Sequence, residues 1–170
     1  VRKRHRQMAI ELGFSSMDVP TELDGLGLRI VDQVAVWEQL GRVTNALCWC
    51  FPEAQHWMFE ACTPAQVDNY VKRLMDGSGQ DAYAITEAES GSMETVNSTA
   101  ASAAGGYLLN GEKWFVTSGN LADFLWVQAK TDSGRDSLFL VDKDSEGIEV
   151  VDNPLFSHSF ASHHPTYRFR

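Results

Sequence analysis

At 170 residues, 44% of them apolar and 22% charged, the chain is long enough for one or two small domains with a real core. A formal charge of −9 argues against non-specific binding to nucleic acid, whose phosphates call for the opposite sign. No apolar run approaches the ~18 to 20 residues that span a bilayer, and no signal-peptide pattern opens the chain.

The basic run Arg2, Lys3, Arg4, His5, Arg6 precedes Met8, Ile10, Leu12 and Phe14, and reads as the solvated start of a helix that Gly13 closes. Val19-Pro20 leads to Asp24-Gly-Leu-Gly-Leu28. A dinucleotide fingerprint would need a further glycine where Ile30 stands, so that loop cradles no phosphate. Ile30, Val34, Trp37, Leu40 and Leu47 recur at helical spacing and predict a packing helix over 30–50, with Trp37 and Trp49 in the core. A short helix is expected from Pro52 to Ala61. There His56 and Glu60 have metal-ligand spacing, but with no third ligand in register a surface pair is the better reading. Thr63-Pro-Ala-Gln66 is a capping-box start for a helix ending near Asp76, before Gly77 and Gly79. Cys48, Cys50 and Cys62, odd in number and in apolar helical surroundings, read as reduced, buried thiols.

From Ala82 the period becomes that of strands. Ala82 to Thr86 is extended and runs into the hydroxyl-rich turn Glu87–Ser92. Strands are expected at Thr95–Ser102, Phe124–Ala129, Ser137–Val141, Gly147–Val151 and Thr166–Arg170. Asn110-Gly111 predicts a type I′ hairpin between Tyr107-Leu-Leu109 and Glu112–Thr117. The expected fold is therefore α+β: a helical layer over 1–80, then a small, mostly antiparallel β-barrel over 81–170. Two extended runs end on hydroxyls, Ile85-Thr86 and Val116-Thr117, and neighbouring positions in one sheet would suit a flat, largely apolar heterocycle bonded at its edge. Glu87 and Glu89 are not read as an acid–base pair: nothing in the sequence desolvates them, and carboxylates on a turn are more often solvated or bonded to nearby amides. His158, His163 and His164 are read as loop residues rather than metal ligands.

Tyr83-Ala-Ile-Thr-Glu-Ala-Glu-Ser-Gly-Ser92, followed by Leu109-Asn-Gly-Glu-Lys113 and Phe115-Val-Thr117, resembles the two flavin-binding signatures of the acyl-CoA dehydrogenase family, in order and at the right separation. The 19–28 loop is similar to a family loop as well, with Asp24 at the place of its first glycine. The resemblance implies FAD as cofactor and removal of a proton and a hydride from neighbouring carbons of an acyl thioester. It puts Thr117 and Val116, with Phe115 as an aromatic wall where the family has tryptophan, along the N5 edge. Thr86 falls at the pyrimidine edge with backbone of Tyr83 and Ile85, and Gly91 and Ser92 lie near the pyrophosphate, Ser92 also near the substrate's pantetheine arm. Ala88, Met93 and Phe115 depart from the family pattern.

The family's catalytic glutamate lies on a later four-helix domain, so no catalytic residue is assigned here and the chain alone is expected to be inactive. Both termini look cut, Val1 entering helical sequence directly and Arg170 ending a strand, which reads as a fragment. The implied partners are acyl-CoA or another acyl thioester, electron-transfer flavoprotein as electron acceptor, and further copies in a dimer or tetramer. The implied setting is lipid metabolism, cytoplasmic in a bacterium or in the mitochondrial matrix of a eukaryote. Two alternatives remain open: a non-catalytic assembly subunit, and a related flavin oxidase or monooxygenase.

Overall fold

The computed structural model describes residues 2–43, 51–90, 95–157 and 163–170. It divides into two compact units, 1–80 and 81–170. The readings placed on Cys48, Trp49, Cys50, Gly91, Ser92, Met93 and His158 lie outside the described residues.

The first unit is helical. α1 (Arg2–Glu11) gives way at Gly13, whose φ of 76° is a left-handed conformation that glycine adopts at little cost. Arg6 is not merely solvated: it donates to the Gly77 and Gly79 carbonyls at 2.8 and 2.9 Å and to Gln80 Oε1 at 2.6 Å. It thereby fastens α1 to the end of the unit. Asp24 has φ 62°, a conformation that aspartate tolerates better than most residues, which accounts for its standing where the family pattern has glycine.

α2 (Ile30–Leu40) starts where expected, but it has no fully buried residue. Trp37 and Leu40 pack partly against Ala9 and Phe51, while Ile30, Val31 and Val34 face outward. Helical spacing identifies an apolar face without saying what covers it. α3 (His56–Ala61) begins four residues later than expected, behind Gln55, and Pro52 is buried ahead of it. His56 and Glu60 form a loose i,i+4 pair at 4.0 Å. The expected capping box is present: Thr63 Oγ1 accepts from the Gln66 amide and Gln66 Oε1 accepts from the Thr63 amide. Beyond α4 (Pro64–Gln66), one wider turn of π-helix, Val67–Val71, precedes α5 (Lys72–Met75).

The second unit is a single curled sheet of seven strands, an open half-barrel. The strands are β1 (Asp81–Ala84), β2 (Thr99–Ala103), β3 (Gly106–Lys113), β4 (Phe124–Thr131), β5 (Asp136–Asp142), β6 (Ile148–Asp152) and β7 (Thr166–Phe169). Their order is β1-β4-β2-β3-β7-β6, with β5 also paired to β4. The pairing is mostly antiparallel, but β4 runs parallel to both β1 and β2. β4 is buried from Phe124 to Ala129. Leu125 and Val127 join Ala82, Ala84, Val116, Ala122, Tyr167 and Phe169 in the core. Alternation sends Phe124 and Trp126 to the other face, where Trp126 stacks on Tyr83 and donates to Asp81 Oδ2 at 3.0 Å.

Two local expectations fail. Asn110-Gly111 is not a turn: β3 runs straight through it, pairing Asn110 with Thr99 and Gly111 with Phe169. The hairpin turn lies earlier, at Ala104-Gly105, where Gly105 has φ 85° in open space. Gly111 is needed for closeness instead: at φ 151° a Cβ there would collide with the Ser98 side chain. The strand expected from Thr95 begins only at Thr99, because the Asn97 and Ser98 amides are already taken by a carboxylate.

The displaced turn predicts opposite tolerances at two glycines. Gly105→Asn should change stability by less than about 0.5 kcal/mol, as for an open surface site. Gly111→Ala should cost about 1 to 3 kcal/mol through overpacking. Urea unfolding of both variants decides, and a turn at Asn110-Gly111 would reverse the order.

Candidate functional site

The site is built around a buried ion pair. Lys113, the last residue of β3, and Glu87, three residues beyond β1, are both buried, and Nζ lies 2.7 Å from Glu87 Oε1. Lys113 also donates to the Ile85 carbonyl at 3.1 Å. Glu87 accepts from the Asn97 amide at 2.7 Å, the Ser98 amide at 2.9 Å and Ser98 Oγ at 2.7 Å. Of the two alternatives for these carboxylates, Glu87 is the one bonded to backbone amides and, beyond that expectation, buried against a lysine, while Glu89 is exposed. Burial pushes the Glu87 carboxyl upward, but Lys113, Ser98 and the two amides outweigh it and hold it at about 2. Burial lowers Lys113 from its ordinary value, against the pull of Glu87. Glu87 stays ionised and fully bonded, so it is unavailable as a general acid or base.

Directly after Lys113 the chain leaves the sheet. The Trp114 amide donates to the Thr86 carbonyl at 2.7 Å, the Val116 amide to Pro165 at 3.0 Å and the Ser118 amide to His163 at 2.9 Å. Even-numbered residues thus tie the segment to its neighbours on both sides. The odd-numbered amides of Phe115 and Thr117 have no partner among the described residues. Phe115 and Ser118 have φ of 53° and 65°, uncommon outside glycine and characteristic of functional turns. Tyr167 of β7 secures the far end, donating from its buried hydroxyl to the Gly119 carbonyl at 2.9 Å.

Aromatic rings line the turn. Phe115, 47% exposed, meets Trp114 edge-on at 5.8 Å and Phe156 at 6.0 Å. Trp114 donates its indole N–H to Glu112, which also receives Arg168. Phe156 meets His164 at 5.4 Å, and His164 Nδ1 lies 3.0 Å from Thr117 Oγ1. Among the described residues no group of three or more His, Cys, Asp or Glu could hold a metal ion, and no helix is long and apolar enough to cross a membrane.

The structure brings the two hydroxyl-bearing segments together: Thr86 is joined to the turn through Trp114, with its hydroxyl exposed and without a partner among the described residues. Thr117 is half-buried in the same turn. Tyr83 is 41% exposed on β1. The Ile85 carbonyl is occupied by Lys113, and the Val116 side chain belongs to the core, leaving only its backbone to the turn. Sequence reasoning passed over Lys113 and His164. Glu87 stands in the first motif and Lys113 in the second, and one charge of each sign in the paired motifs was the usable signal, although 26 residues separate them. For His164 no signal beyond its residue type existed.

A model of the acyl-CoA dehydrogenase N-terminal domain matches residues 2–78, and one of the middle domain matches residues 82–167. Caffeyl-CoA reductase–Etf complex subunit CarC of Acetobacterium woodii is 31% identical over 152 residues, 84% of this chain and 40% of that protein. L-prolyl-[peptidyl-carrier protein] dehydrogenase of a Serratia species is 29% identical over 84% of this chain and 40% of its own length. Among solved structures, PigA with FAD and proline superimposes with a TM-score of 0.84 at 25% identity, covering all of this chain and 47% of that one. A probable acyl-CoA dehydrogenase from Mycobacterium abscessus gives 0.79 at 25%, again over all of this chain and 47% of its own. Helical unit, half-barrel and strained turn together thus define a chain built on the acyl-CoA dehydrogenase plan. The chain belongs to the acyl-CoA dehydrogenase family, and spans between a fifth and two fifths of the length of the curated relatives it matches.

Two buried carboxyls give the stability opposite pH dependences. Glu87 titrates lower folded than unfolded, so its stabilisation is present above its ordinary value of 4.5 and is lost as pH falls toward about 2. Glu87→Gln should cost about 3 to 5 kcal/mol at pH 7, and pairing it with Lys113→Met should recover part of that loss. Asp81 is raised by burial from 3.8 to about 6, so its stabilisation is present below 3.8 and is lost as pH rises through 6. Asp81→Asn should therefore gain on the natural chain above pH 6 and not below pH 4. Denaturant melts across pH 3 to 8 check both, and a parallel pH profile for Asp81→Asn and the natural chain would contradict the second.

Proposed function

We propose that the protein is a flavin-dependent acyl-thioester dehydrogenase whose 81–170 unit holds FAD against the 114–118 turn. The observation that carries this reading is the pair of amides, Phe115 and Thr117, without a partner among the described residues, in a strained and clamped segment beside exposed aromatic rings. A flat ring system with hydrogen-bonding edges fits this donor set, which supplies a few fixed polar groups within aromatic walls. FAD, when bound, supplies the acceptor for the hydride. Thr117, through its amide and hydroxyl, holds the N5 edge, and Thr86 the pyrimidine edge. Gly91 and Ser92 take the pyrophosphate side on the strength of the motif.

Donors on an edge that accepts in the oxidised ring withdraw electron density from it and so ready it for hydride. The substrate class is an acyl thioester on CoA or on a carrier protein, which the relatives' activities support: benzylmalonyl-CoA dehydrogenase in one, L-prolyl-[peptidyl-carrier protein] dehydrogenase in another. Electron-transfer flavoprotein is the proposed acceptor, in line with a relative that is a subunit of an Etf complex. A dimer or tetramer is the proposed assembly.

The test is FAD titration of the full-length protein by absorbance and fluorescence. The natural sequence should bind FAD, and Thr117→Val should weaken binding about tenfold, the loss of one hydrogen bond of ~1.4 kcal/mol. Full-length protein that is folded yet colourless after FAD addition would favour the non-catalytic subunit instead.

A further inference from the structure

We infer that His164 is a positioning residue for Thr117, setting whether the threonine hydroxyl donates or accepts at the cofactor edge; this rests on the flavin reading above. The imidazole is held from two directions. Its backbone neighbours are clamped to the turn, the His163 carbonyl accepting from Ser118 and the Pro165 carbonyl from Val116. Its ring meets Phe156 edge-on at 5.4 Å and 78°, and Phe156 in turn meets Phe115 at 6.0 Å. These contacts leave Nδ1 3.0 Å from Thr117 Oγ1. The alternative partner of that hydroxyl, the Phe115 carbonyl, is 3.4 Å away and can only accept.

A hydroxyl carries one proton. At the N5 edge Thr117 faces an acceptor while the cofactor is oxidised and a donor once it is reduced. With one proton and two lone pairs it can do either, and a second partner that also changes sense keeps the hydroxyl fully bonded in both states. A carbonyl cannot, whereas imidazole can: Nδ1–H donates to Thr117 Oγ1 in one tautomer, and bare Nδ1 accepts from the Thr117 hydroxyl in the other. In the first state the Thr117 proton is available to the cofactor, and in the second its lone pair is. Moving between the neutral tautomers releases one proton from Nδ1 and takes one up at Nε2, so the charge of the pair is unchanged.

The experiment uses full-length protein with His164→Phe, which keeps the ring contact with Phe156, and His164→Asn, whose amide places a polar atom near the Nδ1 position. Each is made alone and combined with Thr117→Val. His164→Phe should alter the ratio of affinities for oxidised and reduced FAD by about three- to tenfold and shift the bound-flavin spectrum. His164→Asn should restore most of that ratio. In the Thr117→Val background His164→Phe should have no further effect. An equal effect of His164→Phe with and without Thr117 overturns the proposal, as does a change on Thr117→Val that His164→Phe does not reproduce. Nitrogen NMR of His164 in the cofactor-free protein separates the two layers. A His164 Nδ1 signal unmoved by Thr117→Val overturns the pairing itself. A signal that moves, in protein that binds no FAD, overturns the flavin reading and this inference with it.

Discussion

The second unit depends on one charged contact made out of reach of water, Lys113 against Glu87. A buried ion pair is a poor source of net stability, because desolvating both ions consumes most of their attraction. What this pair supplies is position. It joins the end of β3 to the segment beyond β1, and the second carboxylate oxygen gathers the Asn97 amide and fixes the approach to β2. A one-residue slip of β3 would send Lys113 to the opposite face and leave Glu87 charged and unpaired. The register that places Trp114 beside Thr86 is therefore the register that keeps the pair intact.

The turn that follows inherits this precision. Its even-numbered amides bond to both flanks, and Tyr167 closes its far end from β7. Backbone strain at Phe115 and Ser118 is held in place by those anchors. Strain of this kind persists where the surroundings over-determine it, and here it accompanies two N–H groups that have no acceptor among the described residues. The aromatic rings around them make the same region apolar on its walls and polar at its edge.

The departures from the family pattern become local questions of fit. Asp24 occupies a left-handed position that glycine would otherwise take. Phe115 retains an aromatic surface at its place, while the neighbouring Trp114 has its indole N–H engaged with Glu112. Trp114 thus does not replace the donor that a tryptophan at 115 would have offered.

What could be read from the residues is what short-range chemistry controls. Gly13 ends α1, Thr63 and Gln66 cap α4 reciprocally, and the strand-period runs fall where β4 to β7 lie. The two motifs identified the family because their residue types and spacing survive in the linear chain. Tertiary structure decided the rest. Asn110-Gly111 carries the strongest local turn signal in the chain, yet β7 and Ser98 hold it in a strand. The burial of Glu87 was not legible because its partners stand 10, 11 and 26 residues away. His164 looked like an ordinary loop residue because Thr117 is 47 positions distant. Propensity is set by neighbours along the backbone, whereas burial, pairing and proton position are set by neighbours in space, which the sheet had first to assemble.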